Sequence, residues 1–215
     1  GRTKPDVANC YDAIHTTDGT SPTSYTDFGG TSGATPITAG CFGLINQMWH
    51  QQVFNGFGGG PTVFSDRPRS ATAKALMINT AYRYPLAQLP RVRQGWGMAD
   101  LTNLYNNRNN LLIINETDVL QNLQTKVYNV AVDPATPELG VTMAYIDPQG
   151  NPAASQARIN DLSLKVTAPD GTFYWGNNGL GASNFSTPGG AANTIDTVEN
   201  VFLQNPMPGN WTIEV

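Results

Sequence analysis

The residue with the clearest chemical potential is Ser32, set in "DFGGTSGATPITAG", Asp27 to Gly40, among four glycines and one proline. A serine hydroxyl becomes a nucleophile when a base takes its proton and hydrogen-bond donors await the oxyanion it creates. Gly29, Gly30 and Gly33 allow backbone close to a substrate carbonyl, and a helix starting nearby would turn free N–H groups toward that charge. The same residues admit a plainer role, in which Thr31 or Ser32 caps the helix. His15 reads as a loop side chain, and His50, after Trp49, reads as a C-terminal helix residue favoured by the dipole. Asp12, Asp18 and Asp27 read as turn formers, so no base for Ser32 emerges from spacing.

The elements that must position Ser32 follow from pattern. "TPITAGCFGLINQMW" is apolar or small all round and predicts a buried helix over Thr35 to Trp49, with Pro36 in its first turn. Ala39, Gly40 and Gly43 would admit neighbouring backbone closely, and elements beyond this chain are expected to cover them. A second helix is predicted over "SATAKALMINTAYR", capped by Ser70, with Leu76, Met77 and Ala81 inward. "GWG", Gly95 to Gly97, reads as a tight turn. Beyond the polar "NNRNN", Asn106 to Asn110, the pattern changes to strands at "LLIIN", "KVYNVAV", "GVTMAYID", "LSLKVTA", "FYWG", "VENVFLQ" and "WTIEV". Their turns, "DPQGN", "PDG" and "NPMPGN", suit an antiparallel sandwich or jelly roll. The boundary near residue 110 divides the chain into units 1–110 and 111–215.

Only 13% of the 215 residues are charged and the formal net charge is −4, so solubility rests on neutral polar groups, a pattern that suits a secreted or extracellular protein. The chain lacks the excess of Lys and Arg that a phosphate backbone demands, which argues against nucleic acid as partner. No apolar run reaches membrane-spanning length. The opening Gly-Arg-Thr and the closing "NWTIEV" lead one to expect processing or truncation at both ends. Cys10 and Cys41 lack metal-ligand spacing and read as isolated buried thiols, with a single bridge as the alternative.

Three blocks in order, "GRTKPDV", "GTSGATPITAG" and "KALMINTA" with "GWGMADL", resemble the C-terminal third of the catalytic domain of subtilisin-like serine peptidases, over residues 1 to about 105. That resemblance implies an α/β catalytic unit in which Ser32 is the nucleophile. Its own N–H would be one oxyanion donor, and Gly30 would belong to the loop facing the substrate carbonyl. Gly33 stands where Met is common, Ile37 replaces a frequent His, and "ANCYD" replaces the usual Ala-Pro-Gly, which affects the substrate pocket. The family's catalytic Asp, catalytic His and side-chain oxyanion Asn all lie upstream of the matching region. They are therefore expected on an upstream catalytic segment, in the same precursor or a separate chain, with a protein or peptide as substrate and no catalytic cofactor.

"INDLSLKVTAPDGTFYWGNN" and "IDTVENVFLQNPMPGNWTIEV" resemble the jelly-roll β domain that follows the catalytic domain in one group of bacterial subtilases. This implies an all-β jelly-roll unit with structural calcium, for which the oxygen-bearing candidates are Asp161, Asp170, Asn177, Asn178, Asp196 and Glu199. The plainer alternative gives Asp170 to a β-turn, and Asp161 and Asn177 to loop amides. Strand alternation places Tyr174 opposite Phe173 and Trp175, so at least one of the three belongs to the core. Sequons begin at Asn115, Asn184 and Asn210. The competing reading is a noncatalytic fragment whose β unit is a stabilising or binding module.

Overall fold

"VENVFLQ" has apolar residues at both parities, a pattern that strands adopt when both faces are buried. The computed structural model, which describes residues 1–156 and 158–215, shows this to be so. Here Val198–Gln204 forms strand β7, buried at every position from Val198 to Leu203. It pairs antiparallel with β4, Glu138–Ala144, in the register Leu139 to Leu203, Val141 to Val201 and Met143 to Glu199. The pleat then sorts the side chains. Val201 and Leu203, with Leu139, Val141 and Met143, face a second antiparallel sheet of order β3-β8-β5-β6, formed by Val127–Val132, Gly209–Glu214, Lys165–Thr167 and Phe173–Trp175. Between the two sheets lies a core containing Val132, Leu164, Val166, Trp211 and Ile213.

The opposite face of the β4–β7 pair, carrying Val198 and Phe202, meets Ile78, Trp96 and Leu180 in another core. Ile78 belongs to α2, Ser70–Asn79, and the Asn79 amide donates to Thr142 Oγ1 of β4 at 3.1 Å. A third core, around Ile45, Trp49, Phe54, Leu76, Met77 and Leu104, joins α1, Thr31–His50, to α2 and to α4, Leu101–Asn106. A hairpin precedes α1, made of β1, Ile14–Thr17, and β2, Tyr25–Phe28. The short α3, Arg91–Gln94, and a 3₁₀ turn at Arg108–Asn110 complete the elements. The protein is thus a mixed α/β structure with several antiparallel sheets.

Six of the seven anticipated strands are present, within a few residues of their predicted bounds. "LLIIN" is not a strand. Its alternation is real, for Leu111 and Ile113 pack on the helical core while Leu112 and Ile114 are exposed, but no neighbouring strand accepts its backbone. Ser70 does not cap α2 either. Arg69 occupies the cap without a side-chain bond, and Glu116 Oε1 accepts the Ala71 N–H at 2.8 Å, a carboxylate at the helix N-terminus supplied from 45 residues away. Leu76, Met77 and Ala81 are buried as predicted. Cys41 is half-buried, but Cys10 is exposed, and both are free thiols. The loop around Cys10 has no apolar wall because neighbouring Tyr11 also faces solvent. Among the described residues, no helix is long and apolar enough to cross a membrane.

Arg91 ties the helical unit to the β unit without a carboxylate partner. Its guanidinium is buried, donates to the carbonyls of Leu180, Gly95 and Ser183 and to Asn184 Oδ1, and lies 5.1 Å from the centre of the Trp96 ring. Burial, then the nearby charge of Arg83, pushes its pKa down to about 10. Arg91→Leu strands several buried acceptors at once, so denaturant unfolding is expected to show a loss of about 3 kcal/mol or more. Arg91→Lys should recover little, because an ammonium cannot reproduce the planar fork.

Candidate active site

The choice between nucleophile and cap turns on where α1 begins. It begins at Thr31, four residues before the predicted start, with Gly30 as its N-cap and no side-chain capping bond. Neither Thr31 nor Ser32 therefore caps the helix. Gly30 holds φ 87 and ψ 173, a conformation open essentially to glycine alone, and this lets the chain enter the helix abruptly. Ser32 becomes the second helical residue, exposed to solvent, in the turn whose N–H groups lack intrahelical acceptors. That turn carries no acidic residue of its own.

The early start also moves Pro36 from the first turn into the helix body. Lacking an N–H, Pro36 cannot bond the carbonyl of residue 32, so the Ser32 peptide is released from the helical ladder at its oxygen. Thr35 Oγ1 compensates one residue away by donating to the Thr31 carbonyl at 2.9 Å. Outward positions Ser32, Pro36, Ala39, Gly40, Gly43 and Gln47 fall on one stripe of the helix, at spacings of three and four. Within the described residues the helix leaves a bare surface, as expected of one covered by elements beyond these: only Gly33, Ile45 and Trp49 of α1 are buried, and Leu44 is 50% exposed.

Neither histidine serves Ser32. His15 Nδ1 lies 3.1 Å from Asp27 Oδ1 across the hairpin, and its ring stacks on Tyr25 at 5.4 Å. Its strand neighbour Ile14 faces Gly33 of α1, so alternation turns His15 to the opposite face, away from the helix start. Asp27 is accordingly a strand residue rather than a turn former, whereas Asp12 and Asp18 do bond local N–H groups at Ala13 and Thr20. His50 ends α1, about 27 Å along the axis from Ser32 at 1.5 Å per residue. There it lies 3.5 Å from Asp66 Oδ2. Two cavities, of about 1760 and 560 Å³, include no residue of β1, β2 or α1. Ser32 stands on open surface rather than in either of them.

Of the six oxygen-bearing candidates of the β unit, Asn177 bonds Asp196, and Asp161 and Asp196 act on Glu199, whereas Asp170 and Asn178 serve local loops. Asp170 closes a turn by accepting the Thr172 N–H, and Asn178 bonds the Thr187 carbonyl and hydroxyl. Asp196 accepts amides from Asn177 and Asn193 and the Thr3 N–H, while Asp161 pairs with Arg158. Among the described residues, no group of three His, Cys, Asp or Glu side chains is placed to hold a metal ion. Tyr174 faces the core beside Trp211, and Phe173 turns outward with the Lys165 ammonium 5.7 Å from its ring centre. Of the sequons, Asn184 is committed to Arg91 and to the Tyr84 carbonyl.

Glu199, named above as a candidate ligand, is a fully buried carboxyl on the sandwich face of β7. Its Oε2 accepts the Leu164 N–H at 2.9 Å, and Oε1 is buried without a partner. Gly176 lies so close that any side chain there would strike the carboxyl. The one sequence signal for its burial is the run of apolar residues at both parities of "VENVFLQ", which marks a strand covered on both faces.

No protein-family model matches the chain, and no curated protein matches it.

Burial pushes the Glu199 pKa up to about 8 from an ordinary 4.5; the Leu164 N–H opposes this, while Asp161 and Asp196 add to it and Arg158 offsets part. A folded-state pKa raised above the unfolded one means that its stability contribution is complete below pH 4.5 and is lost as pH rises toward about 8. Thermal melts of the parent should fall across that window, at up to about 1.4 kcal/mol per pH unit. Glu199→Gln should flatten the decline, and a parent and variant with parallel pH profiles would contradict the assignment.

Proposed function

We propose that this chain is part of a subtilisin-like serine endopeptidase. In this reading residues 1–110 are the C-terminal portion of its catalytic domain and residues 111–215 an appended jelly-roll domain. The observation that carries it is the placement of Ser32: exposed, in the first turn of a long helix entered through Gly30, with no capping duty. The hydroxyl attacks a peptide carbonyl, the carbonyl electrons move onto oxygen, and the Ser32 N–H at the helix start stabilises that oxyanion. Collapse of the adduct expels the amine and leaves an acyl group on Ser32, which water then removes.

The proton from Ser32 must pass to a base outside these 215 residues, since His15 faces away and His50 is remote. The catalytic Asp and His, with the oxyanion Asn, are assigned to an upstream segment that also covers the bare stripe of α1. Small residues along that stripe support the assignment: a Cβ added at Gly40 or Gly43 would meet nothing within 4 Å, so backbone can approach there. The chemistry suits an extracellular enzyme acting on proteins or peptides. A stabilising or binding role for the β unit is the second reading, favoured by its own core between two sheets.

A fluorophosphonate probe distinguishes the two. Ser32 should be labelled when the chain is accompanied by the Asp- and His-bearing segment, and Ser32→Ala should abolish labelling. The chain by itself should react slower by a factor of about 10³ or more, because a triad member without its partners retains little rate enhancement. Equal labelling of the chain with and without that segment would defeat the proposed division of the triad.

A further inference from the structure

One hydrogen bond and two close approaches at glycine border the Ser32 turn on one side, from Tyr11 to Ile14 and from Phe28. The Gly30 N–H donates to the Tyr11 carbonyl at 2.5 Å. A Cβ at Gly29 would lie 3.2 Å from Asp12 Oδ1, which is itself fixed by the Ala13 N–H at 2.9 Å. A Cβ at Gly33 would lie 2.6 Å from Ile14 Cδ1 and 3.4 Å from Phe28 Cδ1. Between the first contact and the last, the chain bends through Ala13 at φ 49, a left-handed conformation that a residue with a side chain adopts at a cost.

Gly33 differs from Gly30 in what it requires. Its backbone is helical, so a side chain would be conformationally acceptable there, and the first group it would meet is the Ile14 δ-methyl, the end of a side chain that must shift to admit it. We propose that the Tyr11–Ile14 loop is the positioning element for Ser32, and that Ile14 and Gly33 are a matched pair through which it acts. The proposal rests on Ser32 being the nucleophile. Gripped at Gly30 on one side and Gly33 on the other, Ser32 Oγ and its own N–H move together with any shift of this turn. Such a shift alters the line of attack while leaving more distant substrate contacts in place.

A mutational cycle of Gly33→Ala, Ile14→Ala and the double variant tests the pair. With the Asp- and His-bearing segment present, Gly33→Ala is expected to lower the fluorophosphonate rate at saturating probe by about a hundredfold, the penalty of an ångström-scale misplacement. The half-saturating probe concentration should change little. The double variant is expected to recover most of that loss, again at an unchanged half-saturating concentration. Parent-like rates in Gly33→Ala, or a double variant no faster than Gly33→Ala, would overturn the proposal.

Amide exchange at Gly30, measured on the 215-residue chain, reads the same coupling without catalysis. It should quicken in Gly33→Ala and return toward the parent rate in the double variant; exchange that ignores both substitutions counts against the pair. If Gly33→Ala does not fold, Ile14→Val, which removes only the δ-methyl, should still quicken Gly30 exchange, and an unchanged rate overturns the proposal. Failure of every form to label Ser32 would instead remove the proposed function, with the exchange cycle still deciding whether the loop holds the turn.

Discussion

Strand β7 has no face toward water, and the arrangement of the molecule depends on that. Its inward residues on one side, Val201 and Leu203, complete the core between the two sheets. Those on the other, Val198 and Phe202, complete the core against α2 and Trp96. At about 25 cal/mol per Å² of apolar surface, a strand buried on both faces contributes roughly twice what a half-exposed one does. The cost is that its polar members lie inside as well. Glu199 and Asn200 are both fully buried, and each keeps one polar atom without a partner.

The seam made by this strand is reinforced where hydrophobic burial alone would leave polar groups stranded. Arg91 serves four oxygens from one rigid fork. Arg83 lies 4.0 Å from the Phe202 ring centre and pairs with Glu138 at the start of β4. Gln94, fully buried, donates to the Tyr84 carbonyl and accepts its N–H. These bonds hold the helical unit at a fixed place on the sandwich. The opposite end of α1, where Ser32 lies, is held by the hairpin, by its preceding loop and by the Asn9 amide, which donates to Thr38 Oγ1 at 3.3 Å.

That division explains why the Ser32 end of the molecule relies on close packing at glycine. A hairpin of two four-residue strands supplies little burial of its own. It grips α1 through one buried position, Gly33, and one backbone bond, Gly30 to Tyr11. The polar face of the hairpin, with His15, Asp27 and Tyr25, points elsewhere, and its apolar face, with Ile14 and Phe28, touches the helix. A histidine close to Ser32 in sequence is thereby separated from it by the pleat.

Much of this was legible in the amino acids themselves. Apolar runs, alternating or continuous, between turn residues located six strands, and longer apolar stretches with helix-compatible punctuation located α1 and α2, because each pattern reflects a local geometry that burial then selects. The Gly-Gly-Thr-Ser-Gly run likewise marked Ser32 as the residue to follow. What only the tertiary structure decided lay between distant residues. Glu116 displaced Ser70 as the donor-satisfying group of α2, the alternation of "LLIIN" found a helix surface instead of a strand, and Glu199 went inside while Asp170 stayed in a turn. Local sequence sets which conformations are cheap, but which face is buried, which cap is satisfied and which carboxyl loses water depend on partners tens of residues away.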